Sequence, residues 1–453
     1  MRYKLAEHQR YALEVMAYNP SLGIFYQMGC GKTMIILEWI RNALKQGMIK
    51  DALVVCPASL VQSWKQAIEE LVKFEGFDTV DIKRIASALT VTSYQKTWNT
   101  NKVVSKDRRG NVVVRKVVQI RDALDKPWGA VIYDESHSIG NHDSNQTQAA
   151  ITLGRLARYR FCLSGTPVHG GKGREDFAKL YGQIQFLTGG TAFKNWTSFC
   201  REYVLSYDMW HKPSSYDVQK CRKLMQNYGI VCRLEDCFDM PGKIEQDIPC
   251  NLTEKTIYED IRMGNISQYG LEIDNAGGQY QKMLQVCSGA LKVNETHTAQ
   301  LRTSKDDALG DILNGTDDPV VVFCTYRASV DRCKNIAKRA GKTVTVYDGR
   351  SKTETWKDFQ SGKFNVLVCQ YQAGAVGLNL QNSHIMVFFE PHMSALQFEQ
   401  AQGRIYRKGQ ESKCIYYHLY TPGTIEEKVM RKVRSGVSVT NDMLQRWANG
   451  ETF

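Results

Sequence analysis

Short apolar runs alternate with amphipathic segments twice along the chain, and this repeat strongly limits the folds that it can adopt. The runs of the first stretch occupy residues 22–26, 52–56, 89–92, 130–133 and 161–163, and those of the second occupy residues 320–324, 344–346, 365–369, 385–389 and 415–419. Runs of this length between helical patterns are typical of a parallel sheet covered by helices. Because the pattern occurs twice, we predict an α/β protein with two parallel-sheet lobes.

The segment between the two stretches, residues 170–310, lacks such runs and is rich in helix-forming side chains. We therefore predict a first lobe in residues 1–240, with a helical insertion near 170–235, and a second lobe in residues 241–453, with a helical insertion near 252–300 and a C-terminal helical segment in 422–453. The hinge between the lobes is predicted near Met-Pro-Gly-Lys at residues 240–243.

A basic segment near residues 102–118 has two β-forming arms on either side of Arg-Gly-Asn. This pattern predicts a hairpin inserted in the first lobe. Contact with DNA and a solvated surface ribbon explain its positive charge equally well.

The charge balance and the cysteine pattern narrow the class of protein. The chain has 453 residues, and 59 Lys and Arg against 47 Asp and Glu give a formal net charge of +12, which favours a polyanionic partner. No run of 18 apolar residues and no secretion signal is present, so we expect neither a membrane span nor export. The 13 cysteines are scattered singly, and the spacing of Cys232 and Cys237 is a poor zinc signature, so we expect reduced structural thiols and no metal cluster.

The first candidate site follows the first apolar run, where Gly29-Cys30-Gly31-Lys32-Thr33 opens a helical pattern. Successive backbone N–H groups and a helix N-terminus can wrap a phosphate chain there. Lys32 would then reach the β- and γ-phosphates, and Thr33 would ligate Mg²⁺. Tyr26 replaces the first glycine of the usual phosphate-loop pattern, so a chance glycine-rich turn is the alternative interpretation.

Two further strand ends carry polar side chains. The run at residues 130–133 leads directly into Asp134 and Glu135, which are predicted to hold Mg²⁺ and to activate the attacking water. An Asp-Glu pair on a solvated helix end is the alternative. The run at 161–163 ends in Ser-Gly-Thr-Pro, suited to sensing the γ-phosphate, and we expect His137 to link the water-activating site to Ser164 or Thr166.

In the second stretch, Gln400, Arg404 and Arg407 fall at helical spacing, which predicts that they share one helix face. The two arginines could act as arginine fingers on a triphosphate, although ordinary surface arginines have the same spacing. The small-residue segment 372–380 precedes them and could approach phosphate or nucleic-acid backbone; a glycine-rich connector is the alternative.

The ordered segments MGCGKT, VVCPASLVQSW, VTSYQ, DESH, LSGTP, CRLEDCFDMPGK, QAGAVGLNL and QAQGRIYRKGQ resemble the motifs of the Swi/Snf-type ATPases of helicase superfamily 2, over nearly the whole chain. The tail Pro-Gly-Thr-Ile-Glu-Glu-Lys at 422–428 resembles the closing segment of that family, in which a helix braces the lobes. The resemblance implies two RecA-like lobes, ATP and Mg²⁺ as cofactors, and a minimal motor of bacterial or phage type in the cytoplasm, nucleoid-associated or in a phage-infected cell.

The resemblance also implies roles for individual residues. Gln9 would read adenine, and the nucleotide would further contact Met28, Gly29, Cys30, Gly31, Lys32, Thr33, Gly377 and Gln400. The catalytic set would be Lys32, Asp134, Glu135, Arg404 and Arg407, with Mg²⁺ on Thr33 and Asp134. Contacts with the DNA backbone would come from Ser59, Thr92, Ser93, Thr325, Gly349, Arg350 and Gln372.

Together these features predict an ATP-dependent translocase on double-stranded DNA, which we expect to act as a monomer. A strand-separating DNA or RNA helicase remains open, because no wedge or pin can be recognised. A catalytically silent DNA-binding scaffold is the alternative of another class, against which the intact set of charged candidates argues.

Overall fold

Two six-stranded parallel sheets form the centres of two units in the described chain. The computed structural model describes residues 4–106, 112–168, 176–208, 211–271, 273, 276–350, 355–374, 377–440 and 443. The chain passes from the first unit to the second between Asp239 and Met240. The α/β class and the two parallel-sheet lobes predicted from the sequence are confirmed.

The strands of the first unit are β1 (Ser21–Tyr26), β2 (Ala52–Cys56), β3 (Leu89–Ser93), β4 (Trp98–Lys106), β5 (Val112–Ile120), β6 (Trp128–Asp134), β7 (Ala157–Leu163), β8 (Val204–Tyr207), β9 (Pro213–Tyr216) and β10 (Gly229–Cys232). The main sheet has the order β10-β1-β7-β6-β2-β3. Strands β4 and β5 form an antiparallel hairpin where the basic hairpin is predicted, although its turn, 107–111, lies outside the described residues. Strands β8 and β9 form a second antiparallel pair.

The helices of the first unit are α1 (Glu7–Tyr18), α2 (Lys32–Lys45), α3 (Val61–Glu69), α4 (Thr79–Ala88), α5 (Asn145–Leu156), α6 (Lys179–Leu187), α7 (Trp196–Tyr203), α8 (Val218–Tyr228) and α9 (Leu234–Cys237). Several begin at a polar side chain that accepts a backbone N–H of the first turn, as Ser144 does at α5 and Asp217 at α8. Apolar side chains of β2, β6, α5 and α6 form one buried cluster, so the helical insertion is anchored on the sheet.

The strands of the second unit are β11 (Lys243–Pro249), β12 (Ala290–Lys292), β13 (Thr298–Gln300), β14 (Val320–Cys324), β15 (Val344–Tyr347), β16 (Val366–Gln370), β17 (Ile385–Phe388) and β18 (Cys414–Tyr420). The main sheet has the order β11-β18-β17-β14-β16-β15, and β12 pairs with β13. The helices are α10 (Lys255–Met263), α11 (Ala276–Ser288), α12 (Lys305–Asn314), α13 (Arg327–Arg339), α14 (Thr355–Gln360), α15 (Tyr371–Gly374), α16 (Ala395–Gln402) and α17 (Ile425–Arg434).

The C-terminal helix α17 is fixed to the second unit by a buried ion pair between Lys305 and Glu426. Glu426 also accepts the backbone N–H of Thr421 across 2.8 Å, and the backbone N–H of Ile425 donates to the hydroxyl of Tyr258 across 2.9 Å. A C-terminal helix is therefore present as α17, packed on the second unit, and its predicted role in bracing the two lobes stays a prediction. Of the predicted helical segment 422–453, residues 441, 442 and 444–453 lie outside the described residues.

Two edge strands were missed by the sequence prediction. Strand β10 has only four residues, and β11 is mostly exposed, so neither shows a buried apolar run. The segment predicted as a hinge near 240–243 ends inside the second sheet, because Lys243 pairs with Cys414.

The expectation that all cysteines are reduced is wrong for one pair. The structure joins Cys232 and Cys237 by a disulfide, because the end of β10 and the end of α9 bring the two side chains together. The other described cysteines are free and buried. Among the described residues, no helix combines the length and the apolar character that crossing a bilayer requires.

Candidate active site

The phosphate loop connects the buried strand β1 to the first turn of α2. Gly29 and Gly31 have φ angles of 90° and 76°, in the left-handed region that favours glycine. A Cβ on Gly31 would also lie 2.2 Å from Nε2 of Gln9, so a side chain there would be strained and would displace that amide. The loop therefore presents backbone N–H groups and a helix N-terminus, the combination that binds phosphate.

Gln9 and Lys32 both contact this loop. Nε2 of Gln9 lies 3.4 Å from the carbonyl oxygen of Gly31, and its Oε1 accepts the N–H of Ala6 across 2.9 Å. Nζ of Lys32 donates to the carbonyl oxygen of Tyr26 across 2.7 Å. The structure thus brings both predicted side chains to the loop, and the contact of Gln9 with adenine stays a prediction.

Asp134 is the last residue of β6, and its side chain is 8% exposed. Its Oδ2 accepts the indole N–H of Trp64 across 2.9 Å, and its Oδ1 accepts the N–H of Glu135 across 3.0 Å. Burial, and next the charge of Glu135, raise the pKa of Asp134 to about 6, while Trp64 and the charge of Lys32 act in the opposite direction. The carboxylate is destabilised here, so a bound cation would stabilise its charged form.

Glu135 lies in the turn after Asp134 in the left-handed conformation, with φ 53°, which is uncommon for a residue other than glycine. The hydroxyl of Tyr94 donates to the carbonyl oxygens of both Asp134 and Glu135, the latter across 3.0 Å, and so holds this turn against β3. Backbone strain at a residue predicted to activate water is typical of functional sites.

His137 connects the carboxylate turn to the end of β7. Its Nδ1 lies 3.2 Å from Oγ of Ser164 and 3.4 Å from Oε2 of Glu135, so the predicted contact with Ser164 is present. Oγ of Ser164 also accepts the backbone N–H of Thr166 across 3.2 Å. Burial, followed by the charges of Lys179 and Lys32, lowers the pKa of His137 to about 4, so the ring is neutral at pH 7.

The ends of β1, β6 and β7 therefore meet at one edge of the first sheet. An ideal Cβ on Gly165 would lie 3.4 Å from the backbone nitrogen of Met28, which shows how closely the third turn approaches the phosphate loop. The hydroxyl of Thr33, half-buried in the first turn of α2, and the carboxylate of Asp134 are oxygen donors of the kind that Mg²⁺ prefers. These residues fit a magnesium ion bound with a nucleotide.

In the second unit, the prediction that Gln400, Arg404 and Arg407 share one helix face is wrong. Helix α16 ends at Gln402, with Gly403 after it, and the N–H of Arg404 donates to the carbonyl of Ala401 in a tighter turn. Gln400 is buried inside α16, and the arginines follow in an irregular segment.

The two arginines nevertheless converge on one backbone oxygen. Nη1 of Arg404 and Nη1 of Arg407 donate to the carbonyl of Leu378 across 3.1 and 2.9 Å, and Nε of Arg404 donates to the carbonyl of Gln400 across 2.9 Å. Leu378 belongs to the small-residue segment 372–380, of which residues 375 and 376 lie outside the described residues. Gly377, which follows them, has a φ angle of 86°. Burial lowers the pKa of Arg407.

The residues expected to contact nucleic acid all stand at or after the carboxyl ends of strands. In the first unit they follow β2 and β3, and in the second they follow β14, β15 and β16: Ser59, Thr92, Ser93, Thr325, Gly349, Arg350 and Gln372. Ser59, Gly349, Arg350 and Gln372 are exposed, whereas Ser93 is buried. The guanidinium of Arg350 pairs with Asp331 and Asp348, so much of its charge is already neutralised within the second unit.

Trp64 and Tyr94 are site residues that the sequence prediction missed. Each lies within a quoted motif, VVCPASLVQSW or VTSYQ, but their contacts with Asp134 span 70 and 40 positions. No local spacing links such positions. Only the placement of β2, β3 and β6 side by side in the sheet brings them together.

Comparison with known protein families gives two matches. The model for the SNF2-related domain matches residues 8–298, and the model for the helicase conserved C-terminal domain matches residues 304–409. The two matches together extend over most of the chain.

Several curated proteins are similar along most of the chain. A DNA repair and recombination protein RAD54-like of Danio rerio is 26% identical over 90% of this chain, which spans 61% of that relative. A probable global transactivator of Orgyia pseudotsugata multicapsid polyhedrosis virus is 23% identical over 98% of this chain and 92% of its own length. An uncharacterized ATP-dependent helicase of Mycoplasma pneumoniae is 24% identical over 89% of this chain, which spans 38% of it.

Among solved structures, a Sulfolobus solfataricus SWI2/SNF2 ATPase core in complex with dsDNA is 19% identical, with a TM-score of 0.40 over 100% of this chain and 96% of that one.

Proposed function

This chain belongs to the SNF2-related family of helicase-like ATPases, and from that premise we propose that it is a DNA-stimulated ATPase that translocates along double-stranded DNA. The observation that carries the proposal is the convergence of three strand ends on one edge of the first sheet. There His137 contacts both Ser164 and Glu135. Lys32 of the phosphate loop lies close enough to Asp134 and His137 for its charge to lower the pKa of both.

The first unit supplies most of the residues for hydrolysis. The phosphate loop and Lys32 would bind the β- and γ-phosphates, and Thr33 with Asp134 would hold Mg²⁺, which supplies charge neutralisation on the transferring phosphoryl group. Glu135 would orient and deprotonate the attacking water.

His137 is a positioning residue in this scheme. It is neutral at pH 7, so it can contact the hydroxyl of Ser164 and the carboxylate of Glu135 without placing a second positive charge beside Lys32. The turn after β7 could then report the state of the phosphates to Glu135. Arg404 and Arg407 would stabilise the charge that develops in the transition state, as arginine fingers do.

The nucleic-acid part of the proposal rests on charge and on position. The formal net charge is +12. The expected contacts stand at the carboxyl ends of neighbouring strands in each sheet, and in the first sheet these strands, β2 and β3, follow β6 in the sheet order. Relatives named for DNA repair and recombination support DNA as the polymer. Because most contacts would be to the phosphate backbone, binding should weaken steeply with salt.

Two displacement assays run side by side test translocation on duplex DNA. A triplex-forming oligonucleotide on intact duplex should be released in an ATP-dependent manner, while a forked duplex of equal length should stay paired. Glu135→Gln is the matched control, since it keeps the size of the side chain but removes the base. Fork opening without triplex release would assign strand separation instead, and release of neither with normal ATP turnover would reject translocation.

A further inference from the structure

Three cysteines from two distant segments meet beside the phosphate loop. Cys30 lies inside the loop, Cys232 ends β10, and Cys237 ends α9. Their sulfur atoms all lie within 4.8 Å of one another, with Cys30 buried and the other two half-buried. The hydrolysis described above uses the backbone of Cys30 but none of the three thiols.

The scaffold around this cluster is tightly connected to the loop. Cys232 pairs with Tyr26 in parallel register, and the N–H of Gln27 donates to the carbonyl of Cys232 across 2.9 Å. The side-chain oxygen of Gln27 accepts the N–H of Leu234 across 2.9 Å. The segment that carries Cys232 and Cys237 is therefore held against the loop that carries Cys30 by main-chain and side-chain bonds.

A second contact fixes the other side of the cluster. Nε2 of His8 lies 2.9 Å from the carbonyl oxygen of Cys30, and its ring stands edge-on to Phe238 at 5.1 Å between centroids. The three sulfur atoms are thus brought together by a defined arrangement of β10, α9, α1 and the loop rather than by chance proximity on a surface.

The spacing of the three sulfur atoms suits a cation bound by thiolates. Around a tetrahedral Zn²⁺ with Zn–S bonds of about 2.3 Å, two sulfur atoms stand about 3.8 Å apart, within the spacing found here.

We infer that the three reduced thiols form a binding site for one soft divalent cation of the Zn²⁺ class, which ties the phosphate loop to the final segment of the first unit. The disulfide between Cys232 and Cys237 is the oxidised form, which cannot bind the ion. Reduction by a phosphine and water gives two thiols and a phosphine oxide, and binding then releases the thiol protons as three sulfur–metal bonds form. A water molecule can fill the fourth position.

The test is a titration of full-length, metal-free protein with Cd²⁺, without ATP or DNA, so that its outcome is independent of the proposed ATPase. After phosphine reduction, the thiolate-to-cadmium absorption band should rise to one equivalent per chain and should be displaced by Zn²⁺. Protein kept oxidised should show no band. The Cd²⁺ affinity should fall at least about 10-fold in both Cys30→Ser and Cys237→Ser, because even loss of a supporting contact weakens a metal site by that factor.

Cys200→Ser is the matched control, a buried cysteine in α7 outside the cluster, and should bind Cd²⁺ as the unaltered chain does. Two cluster variants are used so that misfolding of one, checked by circular dichroism, leaves the other as the test. Absence of the band in reduced protein, equal affinity in Cys30→Ser, or equal weakening in Cys200→Ser would each overturn the inference.

Discussion

The indole N–H of Trp64 donates to Oδ2 of Asp134 across 2.9 Å, and both side chains are buried. Trp64 lies in α3, the helix that follows β2, whereas Asp134 ends β6. A helix that follows one strand therefore holds the carboxylate at the end of the neighbouring strand. This bond fixes one oxygen of the carboxylate expected to hold Mg²⁺ and lowers its pKa against the effect of burial. The geometry of the site therefore depends on a residue outside the catalytic set.

Trp64→Phe keeps an aromatic ring and removes the donor. We expect phosphate release to fall about 10-fold, since a hydrogen bond to a charged group contributes about 1.5–3 kcal/mol. The acidic limb of the pH–rate profile should also move to higher pH, because Asp134 would lose a contact that favours its charged form. Trp39→Phe, at another buried tryptophan of the first unit, is the control and should leave the profile in place.

Asp134→Asn should stabilise the protein in the absence of nucleotide and metal. The folded protein raises the pKa of Asp134 from 3.8 to about 6, so above pH 6 folding carries the cost of a buried charge. Stability from this group is greatest below pH 4 and is lost as pH rises through 6. At about 1.4 kcal/mol per pKa unit, the gain in the variant is at most about 3 kcal/mol.

Thermal melts of Asp134→Asn and the unaltered chain at several pH values provide the measurement. The Tm of the variant should be higher at pH 8, and the difference should shrink towards pH 4. A Tm difference that does not change with pH would mean that the carboxylate is not destabilised by burial. The variant should also be inactive, since it lacks a charged ligand for Mg²⁺.

Arg404 and Arg407 both donate to the carbonyl of Leu378. Because this carbonyl keeps one donor when either arginine is replaced, the structural and the catalytic role of each arginine can be tested separately. In Arg407→Gln the carbonyl keeps its bond from Arg404, so we expect a change in unfolding free energy below about 1 kcal/mol. Loss of an arginine finger should still lower kcat by about 10³-fold or more. Arg404→Gln, at a side chain that is 4% exposed, should instead lower the Tm as well. Normal kcat in Arg407→Gln would remove it from the catalytic set.

The ion pair between Lys305 and Glu426 should be essential for attaching α17. Both side chains are fully buried, so Glu426→Gln leaves a buried ammonium without its partner, which costs about 3–5 kcal/mol. The urea midpoint of the second unit should fall accordingly. Glu427, at the next position, forms an ion pair with the exposed Arg431, so Glu427→Gln should change the midpoint little. Equal midpoints in the two variants would contradict the account.

The main sheets could be predicted because their central strands are buried on both faces and read as apolar runs. Strands β2, β14 and β16 are buried along their whole length. Two of the four edge strands, β10 and β11, could not be predicted, since an edge strand needs no apolar run. Strand β11 is largely exposed and takes its place through backbone pairing with β18.

The candidate site was predictable where polar residues follow a buried strand, as Asp134 and Ser164 do. The shared helix face of Arg404 and Arg407 failed because spacing alone cannot show where a helix ends, and Gly403 ends it. The approach of Cys30 to Cys232 and Cys237 was missed for the same reason as the contact of Trp64: contacts between residues distant in sequence depend on the order of strands in the sheet. The disulfide joins residues only five positions apart, and their spacing alone did not show that the ends of β10 and α9 bring the two side chains together.

The central claim is most directly tested by the rate of phosphate release from ATP, measured at fixed salt with and without duplex DNA. We predict turnover that duplex DNA stimulates severalfold, that Lys32→Ala and Glu135→Gln reduce by at least about 10²-fold, and that rising salt suppresses as DNA binding weakens. Phosphate release that is unchanged by DNA, or that survives in Glu135→Gln, would contradict the account.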